Sequence, residues 1–204
     1  MALGTYEELT AAISDWEERT FASTKTDEFI ALAEAKANRK LQQDFRRRTS
    51  ATVNTDADGL GVLPTGFVGV SSVLRNLIGS VPLRQVSWDA MIERNPYRIG
   101  DNAGVYAING TSIMVAPVTD DDFLIKFAST LTALSAAAPT NWLLTLAPDY
   151  YLFGCQAAAS AFLKDYSTAM MLQAQADDIL ADLVSQGNVA EYGNAEMTLA
   201  MVTP

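Results

Sequence analysis

Apolar positions recur at helical spacing near both ends of this chain and alternate in its middle. Tyr6, Leu9, Ile13 and Trp16 follow one another at steps of three, four and three, which sets them on one face of a helix. Thr5 and Glu8 bracket its start as a capping box, the hydroxyl serving a free N–H and the carboxylate reaching back. A second helix is predicted from about Thr26, with Asp27 and Glu28 in the first turn, where the helix dipole favours acids. Its stripe is Phe29, Ile30, Ala33, Ala37 and Leu41, and it runs to Arg46-Arg47-Arg48, since cations suit a helix C-terminus. The small residues Ala31, Ala33, Ala35 and Ala37 permit close packing against a neighbouring helix.

From about Ala51 to Ser135 the pattern turns to β. Asn109-Gly110 stands between two β-prone runs, 105–109 and 111–116, a strong hairpin signal because both turn residues must take positive φ. Phe123, Ile125 and Phe127 alternate on one face of a third strand expected beside that hairpin. Shorter strands are expected at 62–63, 67–74 and 82–86, and a brief helix from Ser87, its cap, to Arg94. Pro64, Gly66, Gly69 and Gly79 punctuate this stretch.

Residues 139–154, PTNWLLTLAPDYYLFG, hold two helix starts. Thr140 or Asn141 can cap a short turn through Trp142 and Leu144, and Pro148 suits the first position of a longer helix, where its missing N–H costs nothing. An aromatic-rich corner of this kind anchors a core or an interface. The alanine-rich helix that follows breaks at Lys164-Asp165. Ser167 is the expected cap of a last helix carrying Met170, Met171, Ala174, Ile179, Leu180 and Leu183, with Gly187 just past its end as a left-handed cap. Residues 188–204 read as an extended tail. Met197, Leu199 and Met201 alternate there, as in a strand that joins another subunit's sheet or its own.

Composition narrows the functional classes. There are 204 residues, 49% of them hydrophobic, enough for a substantial core. No apolar run approaches the ~20 residues of a membrane span, and the N-terminus lacks the basic-then-apolar order of a signal peptide. The chain has no histidine, which removes Ser-His-Asp and Cys-His catalysis and the usual zinc sites. Cys155, the only cysteine, is expected as a buried thiol on a helix. The net charge is −10, from 24 acidic and 14 basic residues, which disfavours tight DNA binding because that affinity comes largely from neutralised phosphates. Such a charge serves solubility, or a channel lining that lets DNA slide.

The remaining motifs have plain readings. Asp120-Asp121-Asp122 reads as a solvated turn rather than a divalent-ion site. Asp56-Ala57-Asp58-Gly59 lacks the glutamate of a calcium loop, because position 65 is Thr65. Asn109-Gly110-Thr111 matches a glycosylation sequon without an export signal. Arg46, Arg47 and Arg48 suit dipole pairing at a helix end or contact with an acidic partner.

Three segments resemble the tailed-phage head-to-tail adaptor family. Residues 29–48, FIALAEAKANRKLQQDFRRR, are similar to its second helix. Residues 82–96, PLRQVSWDAMIERNP, are similar to its P-L-x-x-V-S segment, and residues 139–154 to its PTNWLL-x-x-APD corner. The likeness runs from about Thr5 to Leu183 in the same order of pieces. It departs at Leu63-Pro64-Thr65-Gly66-Phe67, where relatives show L-P-x-D-F, and in a tail that holds Glu191 and Glu196 where relatives are often basic. The resemblance implies a dodecameric ring under the portal, with a helical bundle toward the portal and a β part toward the tail nozzle. It brings no catalytic residue.

The expected fold is thus α+β, a four-helix bundle formed by the N- and C-terminal segments with a β-rich insertion between them. Residues 1–50 and 136–187 would form the bundle, 51–135 the insertion and 188–204 the extended tail. The expected function is that of a structural, non-enzymatic adaptor in the virion neck, made in the bacterial host cytoplasm. It would bind the portal protein, copies of itself and tail nozzle or tail-fibre proteins, and let double-stranded DNA pass without specific binding. It would use no cofactor, metal or membrane. Arg46, Arg47, Arg48, Tyr192, Met197, Leu199 and Met201 are the candidate portal or subunit contacts, and Trp16, Trp142, Tyr150 and Phe153 the candidate core anchors. The alternatives are a histidine-independent Asp/Glu hydrolase, which needs two converging carboxylates with separated pKa values, and a DNA-packaging or regulatory module, which needs a basic face.

Overall fold

A computed structural model describes residues 3–42, 44–75, 82–94, 104–118 and 122–192. Among these, six α-helices and two sheets make a mixed α+β chain. It divides into two compact units, residues 1–46 with 131–204 and residues 47–130.

The first unit is helical. Helix α1 (Tyr6–Trp16) begins on the expected capping box, with Glu8 N–H donating to Thr5 Oγ1 at 3.3 Å and Thr5 N–H to the Glu8 carboxylate at 3.1 Å. Helix α2 (Ser23–Lys40) starts a turn before Thr26, because Thr26 is buried and packs as a helical residue instead of capping. It also ends earlier than expected. Leu41 turns inward to only 2% exposure, Asp44 Oδ1 accepts Arg46 N–H at 2.8 Å, and residues 45–47 form a single 3-10 turn. The arginine triplet therefore does not sit on a helix end.

After the second unit the chain returns through 131–141, which has no regular structure, to α4 (Trp142–Leu146), α5 (Pro148–Phe162) and α6 (Tyr166–Tyr192). Asn141 caps α4, and Pro148 opens α5 as its composition predicted. Asp165, not Ser167, caps α6, its carboxylate accepting Thr168 N–H and Ser167 O–H. Helix α6 runs through Gly187, which is not a left-handed cap, so residues 188–192 are helical rather than an extended tail. Residues 193–204 lie outside the described residues. The core of this unit joins Leu9 and Ile13 to Phe29, Ile30 and Ala37 of α2, Tyr150, Tyr151 and Cys155 of α5, and Ala176, Leu180 and Leu183 of α6.

The second unit is built on β7 (Asp122–Ser129). Its Phe123, Ile125 and Phe127 are buried on one face, as the alternation predicts. It does not extend the hairpin, however. It lies between β1 (Arg48–Asn54) and β3 (Phe67–Arg75), antiparallel to both. β1 starts inside the arginine triplet, where a helix end was expected.

The second sheet has the order β2-β6-β5-β4, from β2 (Leu60–Val62), β4 (Arg84–Gln85), β5 (Val105–Asn109) and β6 (Ser112–Ala116). The β5–β6 hairpin forms with Asn109 paired to Ser112, so its loop is Gly110-Thr111 and only Gly110 takes positive φ, 59°. The turn lies one residue further along than Asn-Gly alone suggests. β6 is buried on both faces. Ile113 and Val115 join the core shared with β7, while Met114 and Ala116 pack with Met91 of α3 (Trp88–Arg94), the brief helix whose Ala90 N–H meets Ser87 Oγ at 3.2 Å. A strand covered on both sides reads as a continuous apolar run, as Ile113 to Ala116 does.

Asn141 gives this fold a testable joint. Its Oδ1 accepts Leu144 N–H at 2.8 Å, and its Nδ2 donates to Thr132 O at 2.9 Å and to the Tyr151 hydroxyl at 2.7 Å. Asn141→Ala removes the cap and takes the donor from Thr132 O and from the buried Tyr151 hydroxyl, so urea unfolding should show a loss of about 2–3 kcal/mol. A loss of only a few tenths would show that the return segment does not depend on this side chain.

Candidate functional site

Tyr150 is fully buried and donates its hydroxyl to Ala33 O at 2.6 Å, which ties α5 to α2. Phe153 and Trp142 are half-buried at the edge of the same core. Trp16 is not a core anchor. It ends α1 at 58% exposure and meets Phe153 edge to face at 6.5 Å, because the next residue, Glu17, already caps the helix and no described residue covers the outer face of the ring.

The arginine triplet is split by burial. Arg46 pairs with Asp44 at 3.3 Å and lies over the Trp142 ring at 5.9 Å. Arg47 is only 3% exposed. Its Nε donates to Ser129 O at 2.8 Å and its carbonyl accepts the Ser129 hydroxyl at 3.2 Å, which fastens the inbound end of β1 to the outbound end of β7. Arg48, first residue of β1, keeps an exposed side chain. Tyr192 is the last residue of α6, while Met197, Leu199 and Met201 lie outside the described residues.

Asp44 also explains Gly187. A Cβ at that position would stand 3.1 Å from Asp44 Oδ2, so the glycine lets α6 pass close to a nearly buried carboxylate, although glycine inside a helix costs about 1 kcal/mol relative to alanine. Read as a chain-order signal, the same glycine looks like a helix stop.

The most unusual group of the helical unit is one the sequence did not single out. Glu34 of α2 is a buried carboxylate, 7% exposed. Its Oε1 accepts Leu134 N–H at 2.8 Å and the Tyr151 hydroxyl at 3.2 Å, and Tyr151 in turn accepts from Asn141. Asn38 Oδ1 accepts Leu131 N–H at 2.9 Å one helical turn along. Two polar side chains of α2 thus hold the irregular return segment. Burial raises the Glu34 pKa above its ordinary 4.5, while the two donated hydrogen bonds pull it back. Cys155 is buried as expected, and burial raises its thiol pKa.

An apolar groove about 690 Å³ in volume runs along α5 between α2 and α6. The apolar pattern of the last helix included Met170, Met171 and Ala174. They are exposed, Met170 to 74%, whereas Ala176, Leu180 and Leu183 of the same helix join the core.

The acidic motif at Asp56 is structural. Asp56 Oδ1 accepts Asp58 and Leu60 N–H at 2.9 Å each and shapes a turn. Asp122 starts β7, and Asp120 and Asp121 lie outside the described residues. Among the described residues no group of His, Cys, Asp and Glu side chains is arranged to hold a metal, and no helix is long and apolar enough to cross a membrane.

A helical unit and a two-sheet unit, with polar anchors spent on the fold and apolar side chains left outside, define a protein of surfaces. The model of the SU10 adaptor protein family matches residues 4–199, and the chain belongs to that family. No curated protein matches the chain.

Glu34 makes stability depend on pH in a definite direction. A carboxyl whose folded pKa lies above the unfolded value favours the fold when neutral. Its contribution is complete below the unfolded value and fades as pH rises through the folded one. The stability of the protein minus that of Glu34→Gln should therefore fall as pH climbs above the ordinary 4.5 of the carboxyl, measured by urea unfolding of both proteins across the range. A difference that grows with pH would contradict the burial argument.

Proposed function

We propose that this adaptor-family chain closes with copies of itself into a ring, of twelve subunits, beneath a phage portal. The ring extends the DNA channel and offers a platform to the tail nozzle or tail fibres. Membership of the SU10 adaptor protein family over residues 4–199 is the observation that carries this reading. The site is then the virion neck, and the work is mechanical, through surfaces and without a catalytic group.

In this reading residues 1–46 and 131–192 act as one helical bundle, 47–130 as a β-rich insertion and 193–204 as the segment that docks. Portal and subunit contacts draw on Arg46, Arg47, Arg48, Tyr192, Met197, Leu199 and Met201. Trp142, Tyr150 and Phe153 act as anchors that keep the bundle stiff. The charge of −10 fits a surface past which DNA slides without being gripped.

The same charge sets the order of assembly. Like subunits repel, so the free chain stays a monomer or small oligomer and the ring closes on a portal template. Salt near 1 M shortens the screening length to ~3 Å and should promote self-association. Mass photometry at low and high salt, with and without the portal, checks both statements. A chain that remains monomeric with its own portal at every salt concentration would rule out the adaptor role.

A further inference from the structure

A pocket of about 290 Å³ opens where the end of α1, the second half of α5 and the first turns of α6 meet. Trp16, Leu163 and Leu172 supply its apolar lining, and Glu17 and Asp165 its charge. Among the described residues no lysine or arginine lines it. The volume lies just under the ~300–1,000 Å³ of small-molecule clefts, so it suits one side chain of a partner better than a whole small molecule. Trp16 stands at 58% exposure, a large aromatic ring left half outside the helical core.

The polar part of the lining is incomplete. Gln156 of α5 borders the pocket at only 2% exposure, and its Nε2 has no hydrogen-bond partner among the described residues. A buried donor of that kind needs an explanation, and an acceptor brought by a bound segment supplies one. Ser160, also buried, donates its hydroxyl to Glu17 Oε1 at 3.3 Å, which holds that carboxylate at the pocket. Hydrogen bonds from Thr168 and Ser167 hold the Asp165 pKa below its ordinary 3.8, so this acid is charged at neutral pH.

These features select one ligand chemistry. Two acids call for a cation, an exposed indole is the best ring for a cation to lie over, and Gln156 calls for a carbonyl. An arginine within a peptide segment brings all three. Its planar guanidinium stacks on an aromatic face and forks onto carboxylates, and the segment's backbone carbonyls can accept from Nε2. The chain's own C-terminal segment does not match, because residues 193–204 carry Glu196 and no lysine or arginine. A second copy is disfavoured by the charge of −10, which sets like chains against each other. We propose that this pocket receives an arginine from a basic segment of a different protein. The contact goes beyond the ring and the portal, since every group it uses belongs to one subunit, so a chain that ignores every portal can still pass or fail the following test.

The probe is the peptide acetyl-Gly-Gly-Arg-Gly-Gly-amide, titrated into the full-length protein while the indole N–H signals of Trp16, Trp88 and Trp142 are followed by NMR. Trp16 is assigned by the signal lost in Trp16→Phe. Its signal should shift saturably while the other two stay in place. The same peptide with citrulline, alike in shape but uncharged, should bind about tenfold more weakly or worse, which is about 1.4 kcal/mol. Glu17→Gln, which keeps an acceptor for Ser160, should raise the Kd about fivefold or more. Gln156→Leu should weaken binding as well, yet leave the urea midpoint of the free protein unchanged or higher, because it removes a buried donor that has no partner. No saturable shift, equal binding of the two peptides, or binding indifferent to both variants would overturn the proposal. So would a lower midpoint for Gln156→Leu, which would mark the amide as a structural group. A Trp16 signal that moves in Arg98→Ala, or on concentrating the protein without peptide, would put this chain's own arginine or a second copy in the pocket and overturn the choice of partner.

Discussion

A backbone that crosses a core without secondary structure must find a partner for every buried N–H and C=O, and residues 131–141 impose that demand here. Leu131 and Leu134 point into the helical core, so their amides cannot turn to water. α2 meets the demand with Asn38 and Glu34, and Asn141 closes the far end by capping α4 and bonding Thr132 and Tyr151. Once that segment is held, α4 and α5 start where they must, and Tyr150 and Tyr151 reach α2. The carboxylate at the centre is retained because its acceptor geometry serves two donors at once, and it resists full ionisation for the same reason that it is useful, its burial.

The second unit solves a related problem by closing on itself. Its first and last strands, β1 and β7, are neighbours along seven paired positions from Arg48↔Ala128 to Asn54↔Asp122. Arg47 and Ser129 fasten the two at the base through a pair of hydrogen bonds. An insertion whose inbound and outbound strands pair can be a compact unit of its own. One consequence is that the most cationic stretch of the chain is only partly a surface. Arg47 is consumed by the fold, and Arg46 is held between Asp44 and Trp142.

What the folded units leave outside is as informative as what they bury. Leu32, Phe162, Tyr166, Met170 and Met171 are all at least half exposed. A lone exposed leucine means little, whereas Leu32, Tyr166 and Met170 meet around one groove. For a member of an adaptor family, whose work is contact with other proteins, unburied apolar surface is where binding energy is stored.

The chain's periodicity alone determined α1 with its capping box, the alternation of β7, the β5–β6 hairpin, α3 on Ser87, and the 141–148 corner, because each is written in short-range spacing and cap chemistry. The quoted segments also carried the family resemblance. The sequence did not determine where α2 and α6 end. Leu41 leaves its helix to fill a core assembled from distant residues, and Gly187 lies inside α6, its missing side chain making room for Asp44, far away in sequence. Nor did it place β7 between β1 and β3 instead of beside the hairpin, since alternation fixes which side chains face inward and is silent on the neighbouring strand. Glu34 looked like any helix-surface acid. Only the return of residues 131–141 across α2 made it buried, and only the tertiary structure left Met170 exposed while Ala176, Leu180 and Leu183 of the same helix entered the core. Local pattern fixes local geometry, whereas burial depends on which remote segment arrives, and packing decided that.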